Sequence, residues 1–188
     1  MIEKDLADHR VVFERVVATL VPQIEAVAAA ITECLRAGGK LLAFGNGGSA
    51  SDAQHFVAEL TGRYVVDRQA LAAVALSCDT SALTAIANDY GFAHVFARQV
   101  DALARPGDVV LGLSTSGKSE NVLRGLERGR ALGCRTIGFT GRDGGAMPPL
   151  CDQLVVVPSA DTARIQEMHG LIGHAICHHV ERAFSGTP

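Results

Sequence analysis

The feature that most constrains this chain is an alternation repeated along most of its length: a short apolar run, a polar turn, then an amphipathic stretch. The runs are KLLAF (40–44), LAAVAL (71–76), DVVLGLS (108–114), TIGFT (136–140) and QLVVVP (153–158). Each is too short for a stable helix and apolar on both sides, as a strand covered on both faces must be. Such strands belong to parallel sheets, whose crossover helices cover the two faces. Helix-compatible stretches lie between the runs near 50–61, 80–104, 119–132 and 161–184. The pattern therefore predicts an α/β chain with a doubly wound parallel sheet of about five strands.

Ahead of the first run, Ile2, Leu6, Phe13, Val16, Val17 and Leu20 recur near the helical period. Pro22 then opens a second stretch through Ile24, Val27, Ala28, Ile31 and Leu35, which Gly38 and Gly39 close. With 188 residues there is room for one domain. It is read as 1–188, with a helical pair over 1–37 and the parallel α/β core over 38–188. The helical pair can stand apart from the sheet as an oligomerisation element.

Apolar residues make up 48% and charged residues 20%, which suits a buried core rather than a disordered tail. Lys and Arg number 17 against 20 Asp and Glu, a net charge of −3. No general attraction for DNA or RNA follows, so an anionic ligand has to be met locally. No apolar run approaches the roughly 18 residues that cross a bilayer, and MIEKDLADHR is charged where a signal peptide turns apolar. The expectation is a cytoplasmic protein without a membrane or nucleic-acid partner. Cys34, Cys78, Cys134, Cys151 and Cys177 are odd in number and form no CxxC pair, so they read as small hydrophobes.

In a doubly wound sheet, ligands bind beyond the carboxyl ends of the strands. That rule selects four turns: GNGGS (45–49), SCDT (77–80), STSGKS (114–119) and TGRDGG (140–145). Ser114, Thr115, Ser116 and Ser119 lie between a strand and a helix, where free N–H groups and the helix dipole favour an anion. A helix cap needs one hydroxyl, and here there are four; the pattern reads as a phosphate cradle. Gly112, Gly117, Lys118 and Ser119 also match G-x-x-x-x-G-K-[ST] formally. An ATP-binding loop is disfavoured, because VVLGL reads as a strand continuing through Gly112 and no later strand ends in an Asp for Mg²⁺.

Two helical stretches add titratable groups. His55 and Glu59 stand at i and i+4 after the GNGGS turn, on one helix face. In RIQEMHGLIGHAICHHVE (164–181), Gln166, Gly170, His174 and His178 are spaced by four and share a face, with Gly170 and Gly173 allowing close approach. His169, His174, His178 and His179 all lie in that stretch. A phosphate cradle, a His/Glu pair and a polar helix together suggest acid–base chemistry on a sugar phosphate.

Taken together, GNGGSASDAQHF, TAIANDYGF, LSTSGKSENV, FTGRDGG and RIQEMHGLIGHAI resemble the phosphoheptose isomerases, or sedoheptulose 7-phosphate isomerases, of the sugar isomerase (SIS) domain class. The resemblance runs from the N-terminal helices to about Glu181, and five motifs in order make it more specific than any single loop. It implies a flavodoxin-like three-layer α/β/α sandwich, a homotetramer with sites built across subunits, and aldose–ketose isomerisation of D-sedoheptulose 7-phosphate to D-glycero-D-manno-heptose 7-phosphate. That reaction is the first step toward nucleotide-activated heptose for surface polysaccharide.

Carried over by position, the resemblance assigns the phosphate to Ser114, Thr115, Ser116 and Ser119, and the sugar to Asn46, Gly47, Gly48, Asn88 and Asp89. His55, Glu59, Gln166 and His174 match the family's metal positions, implying one zinc per subunit; His55, Glu59 and Gln166 also count among the substrate contacts. Glu59 and His174 are the implied catalytic pair for proton transfer between C1 and C2. Two imidazoles, one carboxylate and one amide oxygen would leave zinc a net charge near +1. Two positions depart from the family pattern: Lys118 replaces a frequent Asn, and Ala163 stands where some members carry Asp. The competing reading is a non-catalytic SIS-fold binding module of the replication-initiator-associating type, whose members lack the catalytic Glu and the second His.

Overall fold

A computed structural model describes residues 1–186. The sheet comprises β1 (Leu41–Gly45), β2 (Ala73–Ala75), β3 (Val109–Leu113), β4 (Arg135–Gly141) and β5 (Gln153–Val157). All pairings are parallel and the spatial order is β2-β1-β3-β4-β5. The helices are α1 (Ile2–Thr19), α2 (Val21–Arg36), α3 (Gly48–Thr61), α4 (Thr80–Tyr90), α5 (Val95–Leu103), α6 (Glu120–Ala131) and α7 (Thr162–Phe184).

Strand alternation divides the interior into two cores, one on each face of the sheet. Leu41, Ala43, Val109, Leu111 and Leu113 point into a core shared with α2, α3 and α7. Leu42, Phe44 and Val110 point the other way, onto α5 and α6. The expected three-layer α/β/α arrangement is therefore present. Removing a fully buried side chain such as Phe44, Leu111 or Ile137 from water contributes about 1.5–3 kcal/mol each.

Local signals set several boundaries. Pro22 sits in the first turn of α2, where its missing N–H costs nothing. Asp161 caps α7 by accepting from the N–H groups of Ala163 and Arg164, at 2.8 and 3.3 Å. Asp79 caps α4 through the Ala82 N–H at 2.9 Å.

Two expectations shift. The helical stretch 80–104 is broken: α4 ends at Gly91, whose φ of 86° no other residue type adopts easily, and a 3-10 turn (Phe92–His94) leads into α5. The run LAAVAL yields only a three-residue edge strand, although Leu71 and Leu76 are buried. Both flank the ladder, donating N–H bonds to the carbonyls of Leu60 and Ala43.

α1 is helical as its periodicity predicts, yet only Val12 and Val16 are buried. Ile2, Leu6, Phe13 and Val17 remain exposed, at 76%, 67%, 40% and 52%. Among the described residues no single helix is long and apolar enough to cross a membrane.

Candidate active site

Strand order reverses between β1 and β3: the chain leaves β1 for β2 on one side and continues from β3 toward β4 and β5 on the other. The crevice beyond these two strands is where a doubly wound sheet receives its ligand. The GNGGS turn leaves β1 there, and the STSGKS loop leaves β3 beside it.

The second loop is hydroxyl-lined as the sequence suggests. The Ser114 hydroxyl lies 3.0 Å from that of Ser119 and 3.5 Å from that of Ser116. Ser119 occupies the cap position of α6 but makes no side-chain cap bond. The first N–H groups of α6 thus keep their capacity for an external acceptor. Gly112 stands within β3, paired with Phe44 and Gly138, so the strand does continue through the formal ATP-loop motif.

The loop rests on the TGRDGG turn. Gly117 (φ 64°) and Gly145 (φ 57°) meet backbone to backbone, and a Cβ built on Gly117 would stand 2.1 Å from the Gly144 carbonyl oxygen. The Ala146 N–H closes this contact on the Gly117 carbonyl at 2.9 Å.

Asn46 spans the crevice. Its side-chain amide exchanges two 2.8 Å hydrogen bonds with that of Asn121, a buried residue in the first turn of α6. Gly48 opens α3 beneath α7: a Cβ there would lie 2.2 to 2.5 Å from the Gln166 amide group. The β1–α3 turn is thereby held between α6 and α7. Gly47 (φ 55°) leaves open space around its own Cα.

Farther along α3 and α7 the titratable residues converge. The His55 Nε2 lies 3.0 Å from the Glu59 Oε1 and 3.2 Å from the His174 Nε2. One ligand atom from each residue falls within 4.8 Å of the others. Tetrahedral bonds of about 2.0–2.1 Å put neighbouring donors about 3.3 Å apart, so two imidazoles and a carboxylate at these spacings fit a divalent metal with a free coordination position. Gln166 stands two turns before His174 on α7, with Gly170 between them. The Gly170 position is open, with no atom within 4 Å of a built Cβ.

Asn88 and Asp89 are not drawn into either group. They pair with each other at 2.8 Å on the exposed last turn of α4. Thr115 is half-buried in its loop, and Lys118 is exposed.

Three further residues near the site were not among the assigned site positions. Asp52, one turn before His55, lines both the cavity beside His174 and the one beside Gln166. Its Oδ2 is buried without a partner, and burial pushes its carboxyl above the ordinary value despite nearby His55. His169 is fully buried, its Nε2 donating to the Thr140 carbonyl oxygen at 3.1 Å. Burial lowers its pKa to about 4. Cys177 lies behind the cluster, and burial, with Glu59 nearby, pushes its thiol up to about 12. Asp52 carried a hint as a carboxylate three residues before His55 on the same helix, and His169 as one of four histidines in the 164–181 stretch.

Residues 6–141 match the SIS domain family. The phosphoheptose isomerase of a Nitratiruptor species is 54% identical over 183 residues, covering 97% of this chain and 98% of the relative. One from Helicobacter pylori is 51% identical over 185 residues, covering 98% and 96%. Among solved structures, the phosphoheptose isomerase of Neisseria gonorrhoeae superposes with a TM-score of 0.92 at 46% identity, covering 96% of this chain and 97% of that one. The Francisella tularensis phosphoheptose isomerase gives 0.94 at 38% identity, with 96% of each chain covered. Near-complete coverage at this identity, over a fold that joins a hydroxyl loop to a His/Glu/His cluster, makes this chain a member of the phosphoheptose isomerase family of SIS-domain proteins.

Proposed function

We propose that the chain converts D-sedoheptulose 7-phosphate to D-glycero-D-manno-heptose 7-phosphate through an enediol, at the entry to nucleotide-activated heptose biosynthesis. The observation that carries this reading is the meeting of His55, Glu59 and His174 on the two helices flanking the crevice that the hydroxyl loop opens into.

The phosphate is received by the hydroxyls of Ser114, Thr115, Ser116 and Ser119 and the N–H groups at the start of α6. Asn46, Gly47 and Gly48 lie along the sugar, with Asn46 held in place by Asn121. Asn88 and Asp89 stand apart on α4, and we assign them to the sugar in the assembled enzyme.

Isomerisation needs one group to carry a proton from C1 to C2 and another to move a proton between the O1 and O2 hydroxyls. Glu59 does the first: its carboxylate takes the C1 proton, giving the enediol, exchanges it with solvent, and delivers a proton to C2. His174 does the second, its imidazole able both to donate and to accept. His55 holds both partners at hydrogen-bond distance and so sets their mutual geometry. We assign a zinc ion, one per subunit, to His55, Glu59, His174 and Gln166 in the resting site; a carboxylate or imidazole bound to the ion is a poor base, so Glu59 and His174 would move protons only when free of it. When bound, it supplies positive charge beside the oxygens that gain negative charge in the transition state.

The exposed Phe13 and Val17 of α1, with Val21 and Leu171, border a groove between α1, α2 and α7. A surface of this kind supports a homotetramer with sites across subunit interfaces. A sugar-phosphate substrate and five free cysteines support a cytoplasmic enzyme. Turnover of sedoheptulose 7-phosphate by the purified chain, read by NMR or mass detection, tests the reading, and a stable product-free incubation contradicts it.

A further inference from the structure

α7 carries one more buried polar group beyond the site. Glu181 lies two turns past His174 and is 3% exposed. Its carboxylate accepts from the N–H groups of Tyr64 and Val65, each at 2.8 Å, and of Val66 at 3.0 Å. Arg68 approaches the same carboxylate at 3.9 Å. The Arg68 guanidinium also donates to the carbonyls of Glu59, Leu60, Gly62 and Gln69, at 2.6, 2.8, 3.0 and 2.8 Å.

A buried carboxylate costs free energy unless its oxygens are fully bonded. Here all of its bonds go to one irregular segment, the chain leaving α3 at Gly62. What this segment presents to the rest of the molecule is the Tyr64 ring, 5.6 Å from the His174 ring at a 34° tilt and 6.1 Å from that of His178, edge-on. His174 is therefore bordered by His55 on one side and by Tyr64 on another.

We propose that Glu181 is a positioning residue for the isomerase site: by gathering the N–H groups of Tyr64, Val65 and Val66, it seats the Tyr64 ring on His174 and fixes the imidazole that meets His55 and Glu59. This rests on the role given to His174 above. Glu181 touches no reacting atom and acts through two residues in series.

The test uses the full chain with three substitutions, Tyr64→Ala, Tyr64→Phe and Glu181→Gln. Gln keeps the shape of Glu181 but turns an amide N–H₂ toward three N–H donors. The metal-stripped proteins are treated with diethyl pyrocarbonate and acylation is mapped by peptide mass, with buried His169 as the folding control. kcat and KM for sedoheptulose 7-phosphate are measured on the metal-loaded proteins.

Tyr64→Ala and Glu181→Gln are expected to raise His174 acylation about fivefold, to leave His169 unmodified, and to lower kcat about tenfold or more with KM within about threefold. Tyr64→Phe, which keeps the ring, stays within about threefold of the parent in every measure. Parent-like acylation and kcat in Glu181→Gln or in Tyr64→Ala overturn the proposal, as does a Tyr64→Phe variant impaired as severely as Tyr64→Ala. If Glu181→Gln also exposes His169, the two Tyr64 variants decide. A parent chain inactive on this sugar phosphate refutes the proposed reaction, and the acylation results still decide the positioning role.

Discussion

His55 on α3 and His174 on α7, 119 residues apart in the chain, meet Nε2 to Nε2 at 3.2 Å. Two neutral imidazoles in this arrangement either share one hydrogen or turn both lone pairs toward a cation. The Glu59 carboxylate at 3.0 Å from His55 supplies the negative charge that favours the cation. Geometry and charge thus mark these three residues as a group that could hold a metal ion.

Glu59→Gln keeps the size of the side chain and one hydrogen-bond acceptor but removes the titratable group. General acid–base groups contribute about 10²- to 10⁴-fold, so kcat is expected to fall by at least about 10²-fold while sedoheptulose 7-phosphate still binds. Steady-state kinetics with a binding titration checks this. Turnover within tenfold of the parent removes Glu59 from the mechanism.

Ser116→Ala combined with Ser119→Ala removes two hydroxyls from the loop after β3. Phosphate contacts are made equally in the ground and transition states, so KM is expected to rise about tenfold or more with kcat nearly unchanged. An unaltered KM places the phosphate elsewhere.

Gly48→Ala separates site geometry from stability. The new Cβ would overlap the Gln166 amide, whose flexible end can swing away, while alanine favours the helix. Thermal unfolding is expected within about 2 °C of the parent. Activity falls about tenfold to a hundredfold, since small displacements at a site have effects of that size. A fully active variant shows that Gln166 has no fixed role.

Much of this site was legible because its parts follow local rules. The four hydroxyl residues lie between an apolar run and a helix, and His55 with Glu59 needs only the helical repeat to share a face. The runs of β1, β3 and β4 and their parallel pairing follow from burial on both sides, whereas β2 and β5 are part-exposed edge strands. The break at Gly91 was harder to read, because the apolar period of α4 continues into α5 and a single glycine changes the path. The meeting of His174 with His55 depends on how α7 packs on α3, which only the resemblance supplied. Asn121, Tyr64 and Glu181 had no local pattern, since each acts through a partner distant in sequence.

His169 makes stability depend on pH. Its folded pKa, held near 4 by burial, lies below the ordinary value of about 6.5, so the unfolded chain binds the extra proton between these limits. Stability is retained above about pH 6.5 and falls as pH drops toward 4. Between pH 7.5 and 5 the loss assigned to this residue is about 2 kcal/mol. His169→Gln, which does not titrate, is expected to flatten the difference between urea unfolding curves at the two pH values. An unchanged pH dependence contradicts this assignment.

Glu181 acts at lower pH. Burial alone would raise its carboxyl, but the N–H groups of Val66, Val65 and Tyr64 and the Arg68 charge hold it below the ordinary range. Its contribution is full above the usual Glu value of about 4.3 and is lost as pH falls through the depressed one. Amide exchange at residues 64–66 is expected to accelerate in that acidic window, ahead of the β1 and β3 amides. Simultaneous loss of protection in all three segments argues against a local hold.

The central claim, isomerisation through an enediol at the His55, Glu59 and His174 cluster, is tested most directly by incubating the purified chain with sedoheptulose 7-phosphate in D₂O. Parallel samples contain zinc or a chelator, and the products are read by NMR and mass. The account predicts a new heptose phosphate carrying deuterium at C2, formed with zinc and suppressed by the chelator. Absence of product in both samples, or product without deuterium at C2 under conditions where Glu59 exchanges its proton with solvent, contradicts it.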